Sequence, residues 1–495
     1  MIEPRLLRGF RDTLPEQAAA RQAMIDRIRE VYERYGFLPL DTPAIEFVDV
    51  LGKYLPETDT PEGGIYAFRD EQRRWVGLRY DLTAPLSRVV AMYPDLPLPF
   101  KRYQVGPVWR KEKPGPGRYS EFYQMDFDSV GVPNVAADAE ACCIMADVLE
   151  ALGVERGAYI VRVNNRKILN SVLETCGIGW EAEGDGLSET GLMVLRAIDK
   201  LDRIGISGVG ELLGAGRSDE SGDFTAGAGL EPEQIKRVLE YLNTSSRLRT
   251  AYCVELESLL AASELGREGA AEMRSINEFL RSAGYDEDRV VFDPTVVRGL
   301  AYYTGPVFEA VLTTPVFVNG EEKRFGAVFG GGRYDNLVER FTGRKVPATG
   351  ASAGVDRLLE AMVALGTIRG EQATPVLVTA LDPARMPEYH IIAAEIRSAG
   401  INAELYTGAG GIRDQLRYAD QSGKKLAVIA GEDEFSRCEI SIKDLWLGRQ
   451  LAQGISERKE WLGTQPAQIT VPREHLCGEI QRLLNRTTQG NKELA

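Results

Sequence analysis

Apolar residues recur at helical spacing between positions 15 and 35. Met24, Ile25, Ile28, Val31, Tyr32 and Tyr35 alternate with Arg27, Arg29 and Glu30, which predicts an amphipathic helix. Thr13, Pro15 and Glu16 supply its start signals and Gly36 its stop. The next stretch, 37–47 (FLPLDTPAIEF), predicts one extended strand, since its two prolines bar a helix. Further strands are predicted at 75–80, 100–110 and 119–130. The last two form a long antiparallel hairpin around the loop KPGPGR. A helix follows over 136–152, ending at Gly153, and then a short strand at 159–163.

The texture changes from about 166 to 288. Helical stretches at 192–203, 232–243, 252–262 and 269–283 surround the loop SDESGDFTAGAGL, which predicts a helical insertion rather than more sheet. Strands return at 290–292, 302–312 and 324–330, followed by a glycine-rich turn at 330–332 and a helix at 353–365. After the linker Gly366–Thr374 the pattern alternates. The strand PVLVTAL, a helix to Ser398, the strand NAELY, a helix through Tyr418 and the strand KLAVIAG imply an α/β domain with a largely parallel sheet.

At 495 residues, two or three domains are expected. No apolar run approaches the roughly 18 residues of a membrane span, and residues 1–12 carry charges with no apolar stretch behind them, unlike a secretory signal. The six cysteines form no CxxC pair and no metal-ligand spacing, so they read as ordinary residues of a reducing compartment. A net charge of −14 argues against a simple electrostatic nucleic-acid binder. Positive charge is instead concentrated locally: from Lys101 to Arg118 six basic residues face the single acid Glu112. The two histidines, His390 and His475, stand apart from the other candidate residues, which disfavours histidine acid–base or zinc chemistry.

Four segments carry candidate chemistry. Arg110, Glu112, Arg118, Phe122 and Gln124 flank the 113–118 loop. Two arginines on one sheet face can neutralise a triphosphate bidentately, and Phe122 could stack on a purine; a charged hairpin with a solvated face accounts for these residues equally well. In VVRGLAYYTGPVFEA, Arg298 stands in an apolar strand-like run, a setting that needs an anionic partner, whether ligand or structural carboxylate. The triple glycine of FGGGRYDNLVERF permits close backbone approach. In GVDRLLEAM, Arg357 falls in the first turn of an apolar helix, where a cation opposes the helix dipole and hints at an anion.

In order along the chain, these segments resemble the signature blocks of class II aminoacyl-tRNA synthetases, and specifically of the histidyl-tRNA synthetase family. GFLPLDTPAIE resembles motif 1, GPVWRKEKPGPGRYSEFYQMDFD motif 2 and GASAGVDRLLEAM motif 3. RGLAYYTG and GGGRYD resemble the two histidine-specific signatures, and QLRYADQSGKKLAVIAGEDE the anticodon-binding domain. The likeness spans residues 6–450, and the long insertion resembles an alphaproteobacterial-type branch.

The resemblance implies an α+β catalytic domain at 1–165 and 289–368, built on an antiparallel sheet flanked by helices. It implies a mostly helical insertion at 166–288 and an α/β anticodon-binding domain with a C-terminal tail at 373–495. It implies ATP-dependent ligation of histidine to tRNA(His) through a histidyl-adenylate, in the cytoplasm, by a homodimer joined through motif 1 and free of any membrane. ATP enters with Mg²⁺, and no bound prosthetic group or protein-held metal is implied. Arg110 and Arg298 would hold the α-phosphate; Glu112 would lie near the adenine amino group. Arg118 and Arg357 would grip the β- and γ-phosphates, and Phe122 would stack on adenine. Asp81, where the family has a glutamate, and Thr83 would hold the substrate's amino group. Gln124 and Asp128 would line the histidine pocket, with Tyr302 and Tyr303 as its aromatic wall. Asp126 and Asp138 are expected to be solvated or capping residues.

Three departures from the family pattern stand out: Ala301 in place of an acid, Asp81 in place of glutamate, and RKEKP in place of RHERP. A non-catalytic relative, the synthetase-like regulatory subunit of ATP phosphoribosyltransferase, is the alternative. The four arginines and the intact 373–460 segment speak against it.

Overall fold

The computed structural model describes the chain except residues 53, 56–59, 62, 112–118, 179–187, 219–222, 245–247, 300–301, 319, 371–373, 453–466 and 494–495. Glu112, Arg118 and Ala301 therefore lie outside the described residues. The chain divides into two compact units, Met1–Arg369 and Gly370–Ala495.

The first unit is built on an eight-stranded sheet. Its strands are β1 (Leu38–Pro39), β2 (Phe100–Trp109), β3 (Glu121–Val130), β4 (Tyr159–Asn165), β5 (Val290–Phe292), β6 (Pro306–Leu312), β7 (Ala327–Tyr334) and β8 (Ala348–Gly354). They run side by side in the order β1-β2-β3-β8-β7-β6-β4-β5. Only the two edge pairs, β1 with β2 and β5 with β4, are parallel. The inner six strands are antiparallel.

Because side chains alternate along a strand, each inner strand has a core face and an open face. Met125 and Phe127 of β3 point into the core. There they meet the helices α1 (Pro15–Arg34) and α3 (Ala136–Ala151). Tyr32 of α1 packs 5.0 Å, centroid to centroid, from Phe127, and Phe37 closes the cluster at 5.5 Å. Helix α1 begins with Pro15 and Glu16, where a missing N–H and a negative charge cost nothing. It ends before Gly36, whose φ of 80° few other residues adopt. Helix α2 (Thr83–Met92) and helix α4 (Val355–Ala364) complete the elements that position the site.

Among the described residues, six helices between Arg166 and Ser282 and one small hairpin (Gly216–Ser218 with Phe224–Ala226) form the helical stretch. Their buried residues, among them Val194, Leu213, Val238 and Met273, share one hydrophobic cluster with the sheet.

The second unit has a five-stranded sheet, ordered Ala403–Leu405, Val376–Val378, Leu426–Ile429, Glu439–Asp444 and Gln468–Pro472. Three strands are parallel, and the last two join antiparallel. The expectation of a largely parallel sheet thus holds for its first half alone. The reversal follows the short helix Glu432–Arg437, whose exit residue Cys438 takes a left-handed φ of 53° and turns the chain back. His390 and His475 are exposed, and all six cysteines are free thiols.

Three further sequence expectations are corrected. The 37–47 stretch is two strands, not one. Leu38–Pro39 joins the main sheet, whereas Ile45–Phe47 pairs with Trp75–Leu78 in a separate three-stranded sheet. Residues 330–332 are no turn; they lie inside β7, bonded to β6 and β8 on either side. The 302–312 strand begins at Pro306, because Tyr302 and Tyr303 sit in a turn whose N–H groups donate to the Gly299 carbonyl.

Candidate active site

The open face of the sheet is the floor of a cleft of about 560 Å³. Phe122, Gln124, Asp126 and Asp128 alternate along β3 onto this face. Gly354, Ser352 and Gly350 of β8 lie opposite Gln124, Asp126 and Asp128. Gly330 and Gly332 of β7 continue the rows of Ser352 and Gly350. On the other side, Gly106, Gln104 and Arg102 of β2 face the same three β3 residues.

The glycines clear space for groups laid over the sheet. A Cβ on Gly330 would collide with the Arg298 guanidinium, and one on Gly332 would stand 2.8 Å from the Tyr303 ring. Arg298 and Tyr303 can therefore each lie close on β7, helped by Gly299 at φ 59°.

Arg298 is held by an ion pair, its Nε donating to Glu309 Oε2 at 2.7 Å. Arg110, at the end of β2, donates from Nε to the Tyr80 carbonyl at 3.1 Å, and its guanidinium stands 5.1 Å from the Phe122 ring centroid. Arg357, in the first turn of α4, donates to the Ala327 carbonyl at 2.7 Å. Three arginines thus border one cleft, a strongly anion-attracting arrangement. Asp356, beside Arg357, accepts from the Tyr123 backbone N–H at 2.7 Å and pairs with Arg11, so the N-terminal segment is fastened to the same rim. Tyr302 and Tyr303 meet edge to face at 5.2 Å and form one wall. Burial raises both phenols, so they act as neutral O–H groups.

The acids of the cleft differ in what they are tied to. Asp81 caps the start of α2, accepting from the Ala84 N–H at 2.9 Å. Burial raises its pKa, against the opposing pull of that N–H and of Arg110. Asp128 accepts from Tyr334 on one oxygen, while the other stands in a 2.7 Å ion pair with the fully buried Arg102 and, like Asp126 Oδ1, accepts no hydrogen bond. Asp126 is equally buried. Burial raises it to about 7, opposed by Arg102 and by the Ser352 hydroxyl. Gln124 donates to Ser352 Oγ at 2.6 Å and leaves its own Oε1 unpartnered. A buried polar atom left so costs on the order of 1–3 kcal/mol.

Of the residues singled out from the sequence, Asp81, Thr83, Arg110, Phe122, Gln124, Arg298, Tyr302, Tyr303 and Arg357 line this cleft together. Asp128 is not among the lining residues. Glu112 and Arg118 lie outside the described residues. Asp126 was expected to be solvated or capping, and that expectation is corrected: it is buried and lines the cleft. The signal for it was present, since it falls between Gln124 and Asp128 at a two-residue period. Asp138 is likewise buried and paired, its carboxylate accepting from Arg333 Nε at 3.0 Å on the opposite face of the sheet. Glu309 and Ser352 carried no local signal.

Comparison with known proteins gives a consistent picture. The family model described as Histidyl-tRNA synthetase matches residues 9–358, and that of an Anticodon binding domain matches 375–482. The histidine–tRNA ligase of Cereibacter sphaeroides is 51% identical over 97% of this chain and 97% of its own length. That of Rhizobium meliloti is 48% identical over 99% and 97%. Among solved structures, histidyl-tRNA synthetase from Nostoc sp. PCC 7120 superposes with a TM-score of 0.75 at 28% identity, covering 97% of this chain and all of that one.

Proposed function

The chain belongs to the histidyl-tRNA synthetase family, and we propose that the cleft on the open face of its sheet is where histidine and ATP are joined. The protein is an ATP-dependent histidine–tRNA ligase, charging tRNA with histidine by way of an adenylate. The observation that carries the site assignment is convergence. Arg110, Phe122, Arg298 and Arg357 come from separate segments and meet Gln124 and Tyr303 around one cavity.

In the first step the histidine carboxylate attacks the α-phosphorus, and pyrophosphate leaves. The nucleophile is already an anion, so no general base is needed. The work is alignment and stabilisation of charge on the pentacoordinate phosphorus. We assign that work to Arg110 and Arg298, adenine stacking to Phe122, and the outer phosphates to Arg357 and Arg118. Glu112 is assigned to the adenine amino group. Asp81, Thr83 and Gln124 are assigned to the substrate's amino group, and Tyr302, Tyr303 and Asp128 to the surroundings of its ring. Mg²⁺ bound with ATP would supply charge screening for its outer phosphates, beside Arg357 and Arg118. In the second step a terminal ribose hydroxyl of the tRNA attacks the mixed anhydride and releases AMP.

The remaining assignments are part of the same proposal. They are a catalytic domain at 1–165 and 289–368, an insertion domain at 166–288, an anticodon-binding domain at 373–495, a homodimer joined through the motif 1 segment, and a cytoplasmic location. The exposed apolar residues Leu38, Ile45, Met92 and Leu98 near that segment support the dimer. No helix among the described residues is long and apolar enough to cross a membrane.

Histidine-dependent ATP–pyrophosphate exchange tests the site. Wild type should exchange only with histidine, and Arg298→Ala should lose about 10²–10³-fold in kcat, the scale for removing one charge-stabilising donor. Histidine binding without exchange would instead indicate the regulatory-subunit alternative.

A further inference from the structure

We propose that Arg11, at the end of the exposed N-terminal segment, is a positioning residue for ATP: it neutralises Asp356 on the rim of the cleft and so keeps that rim receptive to the nucleotide's phosphates. This rests on reading the cleft as the histidine-activating site, with Arg110 and Arg357 on the phosphates.

Residues 1–8 lie exposed, whereas the next three are fastened one after another to the surroundings of the cleft. Gly9, at φ 86°, accepts from the Ser120 N–H through its carbonyl at 2.8 Å. Phe10 meets Tyr66 edge to face at 6.0 Å. The Arg11 guanidinium stands 4.0 Å from the centroid of the Tyr119 ring and makes an ion pair with Asp356. Tyr119 and Asp356 both line the cleft. The first lies just before β3 and the second in the first turn of α4. Arg11 therefore ties two walls of the cleft together, although it is not itself among the lining residues.

The charge of Asp356 is what gives this tie a purpose. A carboxylate beside a cleft that takes a triphosphate repels the ligand unless a cation meets it. One of its oxygens accepts from the Tyr123 N–H at 2.7 Å, which fixes the side chain without supplying positive charge. Arg11 brings that charge from outside the cleft. Arg357, next in the chain, donates instead to the Ala327 carbonyl at 2.7 Å, and Arg110 to the Tyr80 carbonyl at 3.1 Å. With Asp356 already neutralised, neither is drawn away from an incoming phosphate. The flat contact with Tyr119 holds the guanidinium in place for this, as a flexible ammonium could not. Stability is a poor explanation for the pair. Its side chains are 38% and 13% exposed, and ion pairs reached by solvent contribute little to folding.

Pyrophosphate exchange by Arg11→Ala, Arg11→Lys, Asp356→Asn and the double variant Arg11→Ala/Asp356→Asn, with ATP and histidine varied separately, gives the test. In Arg11→Ala the KM for ATP should rise about tenfold, the scale of one bare charge near a polyanion within a Debye length. The KM for histidine should stay within about twofold. Arg11→Lys keeps the charge but loses the flat contact, and should hold the KM for ATP within about threefold of wild type. In the Asp356→Asn background, where the amide oxygen can still accept from Tyr123, Arg11→Ala should change the KM for ATP less than about twofold, because no carboxylate is left to neutralise. Raising salt from about 50 to about 500 mM should shrink the tenfold gap to about threefold or less. The melting temperature of Arg11→Ala should lie within a few degrees of wild type. An unchanged KM for ATP in Arg11→Ala would overturn the proposal, as would a rise of equal size in the Asp356→Asn background. Parallel rises in the two KM values would overturn it too, since they mark a general loss of structure. Absence of histidine-dependent exchange in wild type is a distinct result, which would remove the functional reading and the proposal with it.

Discussion

Two aspartates on opposite faces of the same sheet show how partner, rather than burial, decides a residue's part. Asp126 and Asp138 are both buried, and burial raises their pKa values to about 7 and about 6. Asp138 pairs with the buried Arg333, so removing it strands a cation. Asp138→Ala should cost about 3–5 kcal/mol by urea denaturation, as for other broken buried pairs. Asp126→Asn strands nothing. Its folded-state pKa lies above the unfolded value of 3.8, so the fold favours the protonated acid. Stability from this group is full below about pH 4 and is lost as pH rises through about 7. Ligand-free Asp126→Asn should therefore show a shallower stability decline between pH 5 and 8 than wild type, and a steeper one would refute the sign. Glu309 makes a third case. It orients Arg298 through a 2.7 Å bond, so Glu309→Ala should lower kcat for exchange by about 10–100-fold through misplacement of the guanidinium. Its melting curve should remain cooperative. Equal activity with wild type would mean that Arg298 needs no such hold.

At the scale of elements, β7 explains both what the sequence disclosed and what it hid. Helix α1 was legible because its signals are local: a 3.6-residue period, a proline and an acid at its start, a glycine after its end. The strands of motif 2 were legible from their alternation and the loop between them. The triple glycine of FGGGR predicts a turn and a place of close backbone approach, without saying what approaches. Its actual use is tertiary. Gly330 and Gly332 make room for Arg298 and Tyr303 from another segment, and no local pattern reports a neighbour that distant. The break in 37–47 was hidden similarly, since Leu38–Pro39 and Ile45–Phe47 pair with different partners. The same reasoning separates two adjacent substitutions. In Gly330→Ala the new methyl meets only the movable end of Arg298; activity should drop about tenfold or more while the melting temperature changes by a few degrees. In Gly331→Ala it meets the Gly350 carbonyl and stands 2.6 Å from Ala351 Cβ, so the strand itself must shift. That variant should lose roughly 1–3 kcal/mol or more. Equal melting temperatures for the two would show that β7 yields more easily than its bonding on both edges implies.

On the scale of the whole molecule, the proposed function assigns chemistry to one unit and recognition to the other. Every described residue lining the cleft lies between Asp81 and Arg357, inside the unit that ends at Arg369. The second unit has its own sheet and its own buried cluster, from Val376 to Leu483. It also matches the anticodon-binding family. An acidic protein of net charge −14 cannot hold tRNA by its average field. It must rely on separate local contacts whose strengths multiply because they are linked on one chain. A protein ending at Arg369 should therefore keep histidine-dependent pyrophosphate exchange within about fivefold of the full chain. Its charging of tRNA(His) at limiting tRNA should fall by roughly a hundredfold, the usual scale for losing one of two linked binding modules. Raising tRNA concentration should restore much of the charging rate, because the deficit lies in binding and not in the adenylation site. If exchange fell in parallel with charging, the second unit would have to support the catalytic fold itself, and the division of labour argued here would not stand.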